Sequence, residues 1–152
     1  MKSIITLGGE GTRLKKKTGD IPKPLFPICG KSPLERICAF LKENNIFESI
    51  WICGYRTDLF YDYSIKINDE YGLKITILEE QKPLGECGKL KNCNLIKNDK
   101  YLFLSGDLIF DIDLQKALDF HEFHQSDLTL FTHTSSHCND SDCIIENKSK
   151  SI

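Results

Sequence analysis

The sequence predicts an α/β fold in three layers, a mostly parallel sheet with helices on both faces. Three observations carry this. Short β-rich apolar runs alternate with segments of helical spacing along nearly the whole chain. Three of those runs stop at glycine: residues 4–7 at Gly8-Gly9, 50–53 at Gly54, and 101–104 at Ser105-Gly106. No internal repeat, low-complexity tract or linker interrupts the pattern, so residues 1–152 read as one domain.

Each element has a local reason. Residues 4–7 are a β-rich run. Ser32 is placed as an N-cap, with Pro33 at the first helical position and Glu35 where a capping box needs it. Leu34, Ile37, Cys38 and Leu41 follow at helical spacing and give that helix one buried face. Residues 50–53 read as a fully buried strand. Residues 58–71 read as a weakly patterned helix, 73–78 as a strand and 88–95 as a short helix. Residues 101–104 form another apolar strand, and Asp113 caps a helix carrying Leu114, Ala117, Leu118 and Phe123. Further strands are expected at 128–131 and 143–145.

Composition narrows the partners. A net charge of −2 gives no electrostatic reason to expect nucleic acid or an anionic membrane. No apolar run approaches spanning length, and the opening apolar stretch is too short for a signal-peptide core. The seven cysteines are odd in number and include no Cys-x-x-Cys pair, which suits reduced packing thiols in the cytoplasm. His121, His124, His133, His137, Cys138 and Cys143 supply zinc-ligand types, but no pair has a standard structural-zinc spacing.

In open sheets of this kind ligands bind beyond the carboxyl ends of the strands. Three such ends carry chemistry: Gly8-Gly9, the stretch 79–85, and Gly106-Asp107. Glycines at 8, 9 and 11 let the backbone approach a ligand and aim N–H groups at phosphate oxygens. The segment is not the dinucleotide fingerprint, because Leu14 stands where its third glycine belongs. Nor is it the P-loop, because Lys16 occupies the glycine position before Lys17-Thr18. Arg13 follows the loop, and Lys23 lies between Pro22 and Pro24, whose rings restrict its backbone. A lysine held in this way suits a fixed phosphate, whereas Lys15, Lys16 and Lys17 read as a solvated basic face.

Gly-Gly-x-Gly-Thr-Arg-Leu at 8–14 with Pro-Lys-Pro-Leu at 22–25 resembles the signature of sugar-1-phosphate nucleotidyltransferases. Pro83-Leu84-Gly85-x-x-Gly88 resembles a second family segment, and Ser105-Gly106-Asp107 resembles the metal-binding Gly-Asp segment. The stretch 133–142 is similar to the subgroup of mannose-1-phosphate and manno-heptose-1-phosphate guanylyltransferases. The resemblance implies a Rossmann-like fold and transfer of a nucleotidyl group from a nucleoside triphosphate to a sugar 1-phosphate. It implies that Leu7, Gly8, Gly9, Gly11 and Thr12 contact the nucleotide, that Arg13 and Lys23 act on the phosphates, and that Asp107 holds Mg2+. It places base contacts at Glu80 and Gly85. Glu80 offers only acceptors, which favours the adjacent N1–H and N2 donors of guanine, while Gln81 could pair a pyrimidine. Family members continue further, with sugar-binding residues and a second metal-binding aspartate. Residues 1–152 are therefore expected to be a nucleotidyltransferase domain lacking its C-terminal part. The rival reading is a nucleotide-binding remnant without turnover.

Overall fold

The computed structural model describes residues 1–9, 11, 15–80, 88–93, 95, 99–134 and 144. It divides into two compact units, Met1–Ile112 and Asp113–Ile152. The first unit contains four strands, β1 Lys2–Thr6, β2 Glu48–Cys53, β3 Lys74–Glu79 and β4 Tyr101–Ser105. All pair in parallel, in the order β3-β2-β1-β4. Helices α1 Lys15–Thr18, α2 Pro33–Glu43 and α3 Thr57–Tyr71 belong to this unit, with 3-10 turns at Lys23–Leu25 and Gly88–Asn92. From β1 the chain steps outward to β2 and β3, then returns to lay β4 on the other side of β1. That reversal creates a topological switch point between β1 and β4.

The two outward steps run the same way across the sheet, so right-handed crossovers put α2 and α3 on one face. Register aligns Ser3 with Ser49 and Ile5 with Trp51 on that face, and all four are buried. The Ser3 hydroxyl donates to Ser49 Oγ at 2.8 Å, pairing two polar groups that would otherwise be costly in a dry layer. On the opposite face Ile4, Ile52 and Cys93 form a small core, with Ile50, Leu78, Leu90 and Tyr101 packed against it. The cover there is the 3-10 turn Gly88–Asn92 rather than the expected helix over 88–95. Gly88 opens the segment, and Leu90 and Cys93 are its apolar anchors, too few for an amphipathic helix.

Helix α2 starts as its sequence dictates: Ser32 Oγ accepts from the Glu35 N–H at 3.1 Å, and Pro33, Leu34, Ile37, Cys38 and Leu41 are buried. The Glu35 carboxylate turns to α3, accepting from Tyr63 at 3.4 Å and Tyr71 at 3.3 Å. Burial pushes the Tyr63 hydroxyl up to about 12. Helix α3 begins after Arg56 in the left-handed conformation and ends at Gly72, whose φ of 71° suits a residue without Cβ.

The second unit contains α4 Leu114–Phe123, whose N-cap Asp113 accepts from the Lys116 N–H at 3.1 Å. The strand expected at 128–131 is not formed. Those residues are irregular, with Leu128, Leu130 and Phe131 69%, 53% and 54% exposed. β-rich composition makes a strand only where a ladder partner accepts its backbone. The strand expected at 143–145 lies outside the described residues apart from Ile144, which is irregular. Among the described residues no helix is long and apolar enough to cross a membrane.

Candidate active site

Three backbone hydrogen bonds carry the parallel ladder to the point where its loops depart. The Leu7 N–H donates to Ile52 O at 2.7 Å, Glu80 N–H to Cys53 O at 2.7 Å, and Gly106 N–H to Thr6 O at 2.9 Å. The ends of β1, β3 and β4 are thus fixed at one level. Beyond them lies a cleft of about 300 Å³ lined by Leu7, Gly8, Gly9 and Gly11 from the first loop. Among the described residues Lys23, Glu80, Ser105 and Asp107 line it too, as do Thr6, Pro24 and Ile52. The volume falls at the lower end of small-ligand sites.

Close packing and backbone angle both favour glycine here. A Cβ on Gly8 would stand 3.3 Å from Glu80 Oε2, so the carboxylate lies directly over the first glycine of the loop. Gly11 has a φ of +63°, and a Cβ there would meet the Lys23 stem at 3.0 Å. A Cβ on Gly106 would overlap the Leu7 side chain.

Lys23 is held from its backbone outward. Pro22 and Pro24 are both buried, and the turn is closed by Leu25 N–H to Pro22 O at 2.9 Å. Its ammonium reaches to 4.0 Å from Asp107 Oδ2. The other oxygen of that carboxylate, Oδ1, accepts from the Ser105 hydroxyl at 2.9 Å. Residues 84 positions apart in the chain therefore meet because β4 lies beside β1.

Of the residues singled out in the sequence, Leu7, Gly8, Gly9, Gly11, Lys23, Glu80 and Asp107 share this cleft. Thr12, Arg13 and Gly85 lie outside the described residues. Sequence reasoning did not single out Ser105, Thr6, Pro24 or Ile52 as lining residues. For Ser105 a signal existed: a hydroxyl two positions before an aspartate at a strand end is well spaced for a local side-chain bond.

A parallel sheet with a glycine loop, a held lysine and a carboxylate at its switch point defines an α/β domain whose ligand cleft sits at the strand ends. The chain belongs to the Nucleotidyl transferase family, matching it over residues 2–142. It is 43% identical over 118 residues to D-glycero-alpha-D-manno-heptose 1-phosphate guanylyltransferase of Campylobacter jejuni, covering 76% of this chain and 52% of that protein. The enzyme of the same name from Aneurinibacillus thermoaerophilus is 33% identical over 131 residues, 86% of this chain and 56% of its own. Among solved structures, HddC from Yersinia pseudotuberculosis complexed with GMP-PN superposes with a TM-score of 0.68 at 34% identity. That match covers 79% of this chain and 53% of the other. The chain spans about half the length of these relatives.

Nucleotidyltransferases of this family generally work with a divalent metal. The oxygen donors on the described lining include the Asp107 and Glu80 carboxylates and the Ser105 hydroxyl, all hard ligands. Lys23 already presents a positive charge to Asp107 Oδ2. Among the described residues no cluster of three or more His, Cys, Asp or Glu side chains is placed to hold a metal. So small a set of described donors suits a divalent cation that takes its remaining ligands from substrate phosphates and water, and does not suit an all-protein cage.

Proposed function

We propose that the chain acts in guanylyl transfer from GTP to a sugar 1-phosphate of the mannose or manno-heptose type. The observation that carries this reading is the convergence of Gly8, Gly9, Gly11, Lys23, Glu80 and Asp107 on one cleft at the strand ends. A phosphate oxygen of the sugar 1-phosphate attacks the α-phosphorus of GTP. The bond from that phosphorus to the bridging oxygen breaks, and pyrophosphate leaves with the electron pair. Such chemistry rests on alignment and charge neutralisation rather than on a protein nucleophile.

The chain's own groups divide the work by position. The backbone of Gly8, Gly9 and Gly11, flanked by Leu7 and Thr12, lies against the nucleotide. Glu80, over Gly8, accepts from guanine N1–H and N2–H, with Gly85 beside the base. Lys23 neutralises oxygens around the α-phosphate and the incoming phosphate, and Arg13 those of the departing pyrophosphate. Asp107 would hold Mg2+. Bound there, magnesium supplies Lewis-acid neutralisation of phosphate oxygens. Three described cysteines, Cys29, Cys38 and Cys53, are free thiols, consistent with a cytoplasmic setting.

A thermal-shift panel of GTP, dTTP, CTP, UTP and ATP with magnesium tests the reading, followed by pyrophosphate release with mannose 1-phosphate and manno-heptose 1-phosphate. GTP is expected to stabilise most, by about 2.7 kcal/mol at a hundred times its dissociation constant. Failure of every nucleotide to stabilise the protein would overturn the proposal.

A further inference from the structure

The role of Asp107 is read above from its place in the cleft; what orients its carboxylate is a separate matter. The side chain is 45% exposed, and an aspartate at such a site has two free torsions to fix. Ser105 fixes them. It is the last residue of β4, in register with Thr6, so its own position is set by the sheet. Its carbonyl accepts from the Leu108 N–H at 3.3 Å, closing the turn that carries Asp107. Its hydroxyl must be the donor to Asp107 Oδ1 at 2.9 Å, because an ionised carboxylate only accepts. With Oδ1 engaged, Oδ2 is the oxygen turned toward the Lys23 ammonium, 4.0 Å away.

We propose that Ser105 is a positioning residue that holds Asp107 as a one-oxygen ligand and thereby favours a small, octahedral divalent cation over a larger one. The inference rests on the reading of Asp107 as the metal-holding carboxylate. Magnesium and manganese fit a carboxylate that offers one oxygen, with phosphate and water completing an octahedron. Calcium accepts more ligands and often takes both oxygens of a carboxylate. A carboxylate whose second oxygen is committed to a hydroxyl is biased toward the first group. Loss of the hydroxyl releases Oδ1, weakens the small cation and relaxes the preference.

The test measures binding rather than turnover. A fluorescent GTP analogue is titrated at a series of Mg2+ and Ca2+ concentrations, and Mn2+ occupancy is followed by electron paramagnetic resonance. Wild type is compared with Ser105→Ala, Ser105→Cys and Ser105→Thr, with circular dichroism confirming the fold. For Ser105→Ala and Ser105→Cys the half-saturating Mg2+ and Mn2+ concentrations should rise about ten- to a hundredfold, the usual effect of removing a partner of a metal ligand. The Mg2+-to-Ca2+ preference should fall with them, and Ser105→Thr, which keeps the hydroxyl, should restore both. A metal response in Ser105→Ala equal to that of wild type overturns this inference and leaves the nucleotidyl-transfer reading standing. So does an equal loss of GTP binding with and without metal, which marks a merely structural role. A wild type whose GTP binding ignores divalent cations overturns both.

Discussion

Gly106→Ala is the most direct perturbation of the junction between the glycine loop and the Asp107 carboxylate. The new Cβ overlaps Leu7 Cδ2 and stands 3.0 Å from the Thr6 carbonyl oxygen and 3.4 Å from Ile5 Cγ2. Neither apolar neighbour has room to retreat, since Leu7 is 1% and Ile5 0% exposed. The Thr6 oxygen cannot withdraw without stretching its 2.9 Å bond from the Gly106 N–H. One methylene-sized intrusion into a packed site costs about 1–3 kcal/mol. For a chain of this length that lowers the melting temperature by roughly 2–12 °C. Differential scanning calorimetry reads the shift, and a double-mutant cycle with Leu7→Ala reads its cause. Leu7→Ala alone should cost about 2–5 kcal/mol. The double variant should be more stable than the sum of the two, with a coupling of about 0.5–3 kcal/mol, because the vacated space receives the methyl. A Gly106→Ala melt within about 1 °C of wild type, or strict additivity, would refute the reasoning.

Lys23→Ala and Arg13→Ala should leave the circular dichroism spectrum unchanged and weaken triphosphate binding about ten- to a hundredfold, as expected for loss of a charged hydrogen bond; unchanged affinity in a nucleotide titration counts against both assignments. Asp107→Asn should remove the metal dependence of GTP binding while sparing metal-free binding, read by calorimetry with and without chelator. Glu80→Gln should narrow the gap between GTP and dTTP in a thermal-shift panel, since the amide replaces one acceptor by a donor; an unchanged ranking would detach Glu80 from base selection. Burial, with smaller contributions from Glu35 and Glu79, pushes the Cys38 and Cys53 thiols from 9.0 to about 12. Folding therefore favours the protonated thiols, a contribution complete below 9.0 and lost as pH rises toward about 12. Urea midpoints should fall from pH 8 to pH 11 in wild type and fall less in Cys38→Ala.

Helix α2 was legible because its start is chemical and local: Ser32, Pro33 and Glu35 sit in capping order ahead of an apolar stripe. Helix α3 gave a weaker signal because Thr57, Phe60 and Ile67 are its buried residues, and its N-cap is Arg56, which supplies no capping oxygen. The turn at 88–92 differs from expectation because it has too few apolar anchors for a helix, and the irregular 128–131 because its apolar run has no ladder partner among the described residues. At the site, glycine spacing and the two prolines marked the loop and Lys23. What local pattern could not supply is strand order. Only the placement of β4 beside β1 brings Lys23 to Asp107, and only then does the hydroxyl of Ser105 acquire a purpose.

The described lining of the cleft carries one lysine, Lys23, against two carboxylates, Glu80 and Asp107. The whole chain, at −2, adds no net attraction for a polyanion. On that described lining a metal–nucleotide complex, with much of its charge already cancelled, is better matched than a naked triphosphate. The carboxylates that order the bound state also decide which species crosses the threshold.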